Sequence, residues 1–325
     1  RQGNVAVGNG ALYYEDDGDY NTAIGHQALA TQAGTTGTVG NTALGHKSGK
    51  WLTTGIKSTF IGCEAGQGIQ ATKLTGSQNT VIGYQSGFLL QGSAADNTIM
   101  GTHAGDAMTT TSNTVIIGSY AGSAINSTDA NGTIAIGYQA GVNITEAVGS
   151  VIMGYQAGYN IQTNDYNVFI GYQAGFDADS ADTNAYYNSY VGAFSGKNMD
   201  DGAGNTALGA YALYGGTSAG NDAANCVAVG VSALEDLTTG DDNVAVGGYA
   251  LRDVTTGANN VAIGRNAGDS MTTESSCVLI GYDAGSNISH TNGDGQVFIG
   301  YEAGHEIHSG GHNVAIGYLA LSSAD

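Results

Sequence analysis

The chain repeats itself. Eighteen times a short apolar run ends in glycine: Gly8, Gly25, Gly45, Gly62, Gly83, Gly101, Gly118, Gly137, Gly154, Gly171, Gly192, Gly209, Gly230, Gly247, Gly264, Gly281, Gly300 and Gly317. Ten of the seventeen intervals are 17 residues, and the rest run from 18 to 21. A period this short describes one coil of a solenoid, which buries its apolar side only against the coils above and below it. Residues 1–325 are therefore read as one repetitive domain. Neither end reads as a capping unit, so the expectation is a segment of a longer fibre protein.

Offsets counted from the anchor glycine define equivalent positions in every coil. The residue before the glycine is always aliphatic or Met, and the residue three before it is mainly Val or Thr. Side chains alternate along a strand, so these two share a side and are predicted to form the core of the coil. The residue between them, at offset −2, would be polar on a solvated face. It is never charged in any of the eighteen coils. A strand apolar on both sides calls for a cover on both. The larger residues at this offset are therefore predicted to line the axis of an oligomer: Phe60, Val81, Ile99, Ile116, Ile152, Phe169, Tyr190, Leu279 and Phe298. A parallel homotrimer is the simplest closed arrangement. On this reading, Asp at Phe169 and Phe298 breaks the oligomer, whereas Asp at Ile170 disrupts a single coil.

Other offsets are equally regular. Asn stands at −4 in eleven coils, where amides can bond from coil to coil along a corner. Offset +3 is Ala fifteen times and Ser three times, which implies a close approach of backbones. Offset +4 is Gly twelve times and Leu six times. Thr-Thr-Gly turns follow in several coils, among them Thr35-Thr36-Gly37 and Thr238-Thr239-Gly240. Eighteen coils at about 4.8 Å each predict a rod of roughly 85 Å.

Composition agrees with this organisation. Glycine makes up 54 residues and proline none, so sharp corners are available and no backbone N–H is lost from a continuous ladder. With 41% hydrophobic residues in strict register, the glycine content does not signal disorder. The net charge of −20 disfavours nucleic acid and bare anionic membranes as partners. No segment reads as a membrane span, and direct membrane insertion is not expected. Cys226 and Cys277 share offset −4 three coils apart, roughly 14 Å, too far for a disulfide.

The run Asn-Thr/Val-Ala-Ile/Leu-Gly-x-x-Ala-Leu/Gly, as in 21–29, 205–213 and 313–321, resembles the head repeats of trimeric autotransporter adhesins of the YadA type. It is equally similar to repeats of phage tail fibres. The resemblance covers the whole chain. It implies an all-β, left-handed parallel β-roll of about 18 coils, three chains packed side by side, and a receptor-binding surface. The implied partners are two further copies of the chain, a host cell-surface glycan or protein receptor, and other fibre or baseplate proteins. The tandem 17-residue coils with Thr-Thr-Gly turns favour a virion fibre, tail or head, over a bacterial cell-surface adhesin.

Several side chains have chemistry that could serve a site, and each also has a plainer structural role. Tyr directly follows the glycine in seven coils, including Tyr138, Tyr155 and Tyr172 in succession, and the bulge before Gly192 carries Tyr186 and Tyr187. These five are candidate receptor contacts, with sugar rings held against tyrosine faces; the plainer role is a structural ladder. His26 and His46, and the group His305, His308 and His312, have the chemistry of metal ligands but no convincing partner set. Asp16, Asp17 and Asp19, and then Asp177, Asp179 and Asp182, match no Ca²⁺ motif. Nucleophile, zincin, P-loop and dinucleotide motifs are missing, so no catalytic residue, metal or cofactor is expected and the chain is read as a non-enzyme. An ice-binding solenoid is a remote alternative, because the Thr turns are interrupted.

Overall fold

The computed structural model describes residues 2–33, 37–178, 185–216, 220–288, 293–308 and 310–323. Thr35, Thr36, Asp179 and Asp182 lie outside the described residues. The chain is a parallel β-solenoid made of two compact units, Arg1–Asp165 and Tyr166–Asp325.

In the first unit the three residues before each anchor glycine form a strand, from Val5–Val7 and Thr22–Ile24 through to Val151–Met153. Each strand pairs in parallel with the next coil's strand, equivalent residue opposite equivalent residue, as in Ala23↔Ala43 and Phe60↔Val81. The second unit runs the same way from Val168–Ile170 to Val314–Ile316, with Phe169↔Tyr190 and Leu279↔Phe298 opposed. Among the described residues helix is limited to one 3-10 turn, Thr128–Ala130.

Hydrogen bonds between coils continue well past these three-residue strands. In the second unit Leu251 N–H donates to Ala267 O at 3.0 Å, and Val244 N–H to Asn260 O at 2.8 Å. The coil turns by placing residues at positive φ at fixed offsets. Around Gly192 these are Tyr187 (φ 60), Gly192 (φ 142), Phe194 (φ 60) and Gly196 (φ 58). A non-glycine residue there costs about 1–2 kcal/mol, and the ladder on either side holds it in place. Glycine is required at the anchor itself. At Gly101 (φ 137), a Cβ would lie 2.5 Å from the carbonyl oxygen of Gly118 in the next coil.

The offset −4 residues form a buried polar column. Asn188 Oδ1 accepts from the Asn205 backbone N–H at 2.8 Å, and Asn205 Oδ1 accepts from the Cys226 N–H at 2.9 Å. Each amide also donates to a later carbonyl: Asn188 to Gly202 O and Asn205 to Ala223 O, both 2.8 Å. The carboxamides thus bond mainly to backbone, where amide-to-amide bonding was expected. Cys226 takes the same place in its coil, and burial pushes its thiol up to about 11. Replacing Asn205 by Ala leaves a buried N–H and a buried C=O unpaired. The expected loss is about 2–4 kcal/mol, read as a lower denaturation midpoint; an unchanged midpoint would mean that water fills both roles.

The core lies between the strand and the opposite turn. It holds the −2 residue, the small +3 residue, the +4 residue and an apolar residue at +7, such as Leu52, Met108, Ile125, Ile144, Leu237 and Met271, all buried. All nine large residues at −2 have Gly at +4, and all six Leu at +4 have Ala at −2. These two offsets share one volume. A Cβ on Gly175 would lie 2.6 Å from the Phe169 ring.

Candidate functional site

The structure reverses the expected faces of the strand. Phe60, Val81, Ile99, Ile116, Ile152, Phe169, Tyr190, Leu279 and Phe298 are fully buried inside their own coils. They cannot line an interface between chains. The reason is volume: the coil interior, walled by Ala at +3 and Gly or Leu at +4, takes the −2 side chain and closes around it. Phe169 and Tyr190 stack there at 5.0 Å with rings 6° from parallel.

The side chains at −1 and −3, expected inside, point outward. Leu44 is 48% exposed and Ile263 41%, and Val7, Met100 and Leu208 are exposed as well. Neither offset carries a charge in any coil. Each unit therefore presents, on the outer face of its sheet, an aliphatic or Met column at −1 beside a −3 column of Val, Ile, Thr and Ser. The −1 side chains are exposed on some rungs and half-buried on the others, so the strip is more continuous than the scattered apolar side chains of an ordinary surface.

The tyrosines after the anchor glycines are exposed, as expected of receptor contacts, but their faces are already in use. Tyr138 and Tyr155, 44% and 43% exposed, stack on each other at 5.3 Å and 20°. Beside them Gln156 Nε2 donates to Gln139 Oε1 at 2.9 Å. Tyr282, Tyr301 and Tyr318 form a second stack at 5.4 and 5.2 Å. In the second unit Tyr172 meets Phe194 edge-on at 5.1 Å, and Tyr187 stacks on Tyr166 at 5.6 Å with Tyr186 edge-on to it. Such columns offer ring edges, hydroxyls and amides outward. This geometry favours the ladder role and leaves little room for sugars against the ring faces.

His26 and His46 stack at 5.2 Å, and Cys63 Sγ lies 3.7 Å from His46 Nδ1. Among the described residues no three of His, Cys, Asp and Glu converge as a metal site. Cys63, Cys226 and Cys277 are free thiols. Among the described residues no helix is long and apolar enough to cross a membrane.

No protein-family model matches the chain, and no curated protein matches its sequence.

Proposed function

We propose that the chain is a structural and adhesive fibre shaft in which three copies pack in parallel as left-handed β-rolls, and that it serves a phage tail fibre in attachment to a host cell. One observation carries the reading: the uncharged aliphatic column on the outer face of each unit's sheet. Parallel sheets are ordinarily covered on both faces. A second copy aligned in parallel has the same rise per coil and meets that column rung for rung. Three copies around one axis close the arrangement without a free interface. Three identical outer surfaces then raise avidity through effective concentration.

The test is the mass in solution. Light scattering should give three times the chain mass, and the mass of one chain would reject the oligomer. Leu44→Asp combined with Ile263→Asp should reduce the particle to single chains while leaving the β-sheet circular dichroism unchanged. A trimer that survives both substitutions packs through another face. Gold-labelled antibody should decorate virus fibres in the source culture; label on cell envelopes would make the chain a bacterial surface adhesin instead.

A further inference from the structure

The first unit contains a slot that the outer column and the tyrosine ladders do not account for. Its volume is about 630 Å³, within the range of small-molecule sites. It arises from three successive coils at offsets +5 and +6. These hold Tyr13-Tyr14, then Ala30-Thr31, then Lys50-Trp51. Two bulky aromatic rungs flank a rung of small residues. The rungs are tied together: Tyr14 N–H donates to Ala30 O at 3.2 Å, and Thr31 Oγ1 donates to Lys50 O at 2.8 Å. These bonds fix the backbones of the three rungs that carry the slot.

Walls two coils apart are separated by roughly 10 Å. A contact of about 3.5–4 Å at each wall leaves room for a puckered ring with its substituents rather than a flat aromatic one. The next coil, lengthened to 21 residues between Gly62 and Gly83, brings Gln70 and Lys73 to the rim. Lys73 is held there by the backbone bridge between Leu52 and Leu74.

Basic residues are concentrated at the slot. The chain carries 28 acidic and 8 basic residues, and four of the basic ones lie between positions 47 and 73. Two of them, Lys50 and Lys73, line the slot, and no lining residue is acidic. Lys47 is engaged by Glu64 at 3.3 Å, whereas Lys50 and Lys73 form no ion pair with a described residue. The Lys50 ammonium lies 4.5 Å from the Trp51 ring centre. The slot thus combines aromatic side chains, amide and hydroxyl groups at the rim, and two ammonium groups without an ion-pair partner among the described residues. The walls suit the C–H faces of a pyranose, the amides suit its hydroxyls, and the ammonium groups suit one carboxylate. A polyanion such as nucleic acid would meet the chain's overall negative field.

We infer that this slot binds a carboxylated saccharide, a uronate or sialate ring, between Tyr13-Tyr14 and Trp51, with Lys50 and Lys73 on its carboxylate. The adhesive reading supplies the biological setting. The binding itself needs only the first unit, so it can hold or fail independently of the trimer. Trp51 is the sole tryptophan, so its fluorescence reports directly on the slot.

The experiment titrates the full chain with trigalacturonate and with 3′-sialyllactose, and with the carboxyl-reduced form of each. At least one acid should change Trp51 fluorescence saturably, and its reduced form should bind at least tenfold more weakly. Lys50→Gln and Lys73→Gln should each weaken the acid tenfold or more and leave the reduced form unaffected. Tyr13 is 71% exposed, so Tyr13→Ala removes a wall without touching the core and should weaken both forms. Fluorescence that responds to neither acid overturns the inference. Equal binding of an acid and its reduced form also overturns it, as does tighter binding of an oligoglutamate peptide, which would make the occupant a peptide. A single-chain mass alongside acid-selective binding would reject the trimer and leave the slot standing.

Discussion

A Gly101→Ala chain should lose about 2–6 kcal/mol of stability in the first unit, from backbone strain and overpacking together. Two terms add. The backbone at φ 137 is a conformation that side chains rarely adopt, costing about 1–3 kcal/mol. The new Cβ would also stand 2.5 Å from the Gly118 carbonyl oxygen, which belongs to the rigid neighbouring rung. Relief requires the two coils to separate, and the next backbone bond, Gly118 N–H to Met100 O at 2.8 Å, lengthens with them. Because each coil touches only its neighbours, the damage should stay local. Hydrogen exchange should show lost protection in the rungs around Gly83, Gly101 and Gly118, with the rungs near Gly8 unaffected. Unchanged protection around Gly101 would show that the rungs tolerate the extra carbon and that the glycine column has another cause.

Phe169→Ala should cost about 3–5 kcal/mol, since the ring is fully buried and stacks on Tyr190. A second substitution in the same coil, Gly175→Leu, should then restore part of the loss. In wild type the added side chain would collide with the Phe169 ring. With the ring gone, the pair becomes the Ala–Leu combination already present as Ala23 with Leu29 and Ala228 with Leu234. Leu accepts the backbone of that offset, at φ 47 in Leu29 and φ 52 in Leu234. A double-mutant cycle should show favourable coupling of about 1–3 kcal/mol. If Gly175→Leu destabilises the Phe169→Ala chain further, the two offsets do not share a volume.

That shared volume also explains where sequence reasoning stopped. The glycine period, the stacking of one coil per repeat and the coil-to-coil bonding of the −4 column follow from spacing and residue type. Which side of the strand faces inward does not. Alternation places −1 and −3 on one side and −2 on the other, but with both sides apolar no polar residue marks the outside. The missing sign was the exchange of Phe and Gly for Ala and Leu between −2 and +4. Only an inward −2 side chain can compete with +4 for space. The buried +7 residues, such as Met108 and Leu237, were hidden because the turns after +4 looked irregular. The slot was less visible still. Tyr13, Ala30 and Trp51 are far apart in sequence, and only the stacking of their coils makes them neighbours.

The asparagine column also gives the stack a direction. Asn188 and Asn205 turn both ends of the carboxamide toward the coil that follows: the oxygen takes its N–H, and the nitrogen gives to its carbonyl. A finished rung therefore presents a ready-made docking template at its C-terminal side. Ribosomal synthesis delivers residues from N to C terminus, so each new coil emerges beside the template that orders it. The same side chains that hold the completed protein together thus give the stack a polarity that matches the direction of synthesis.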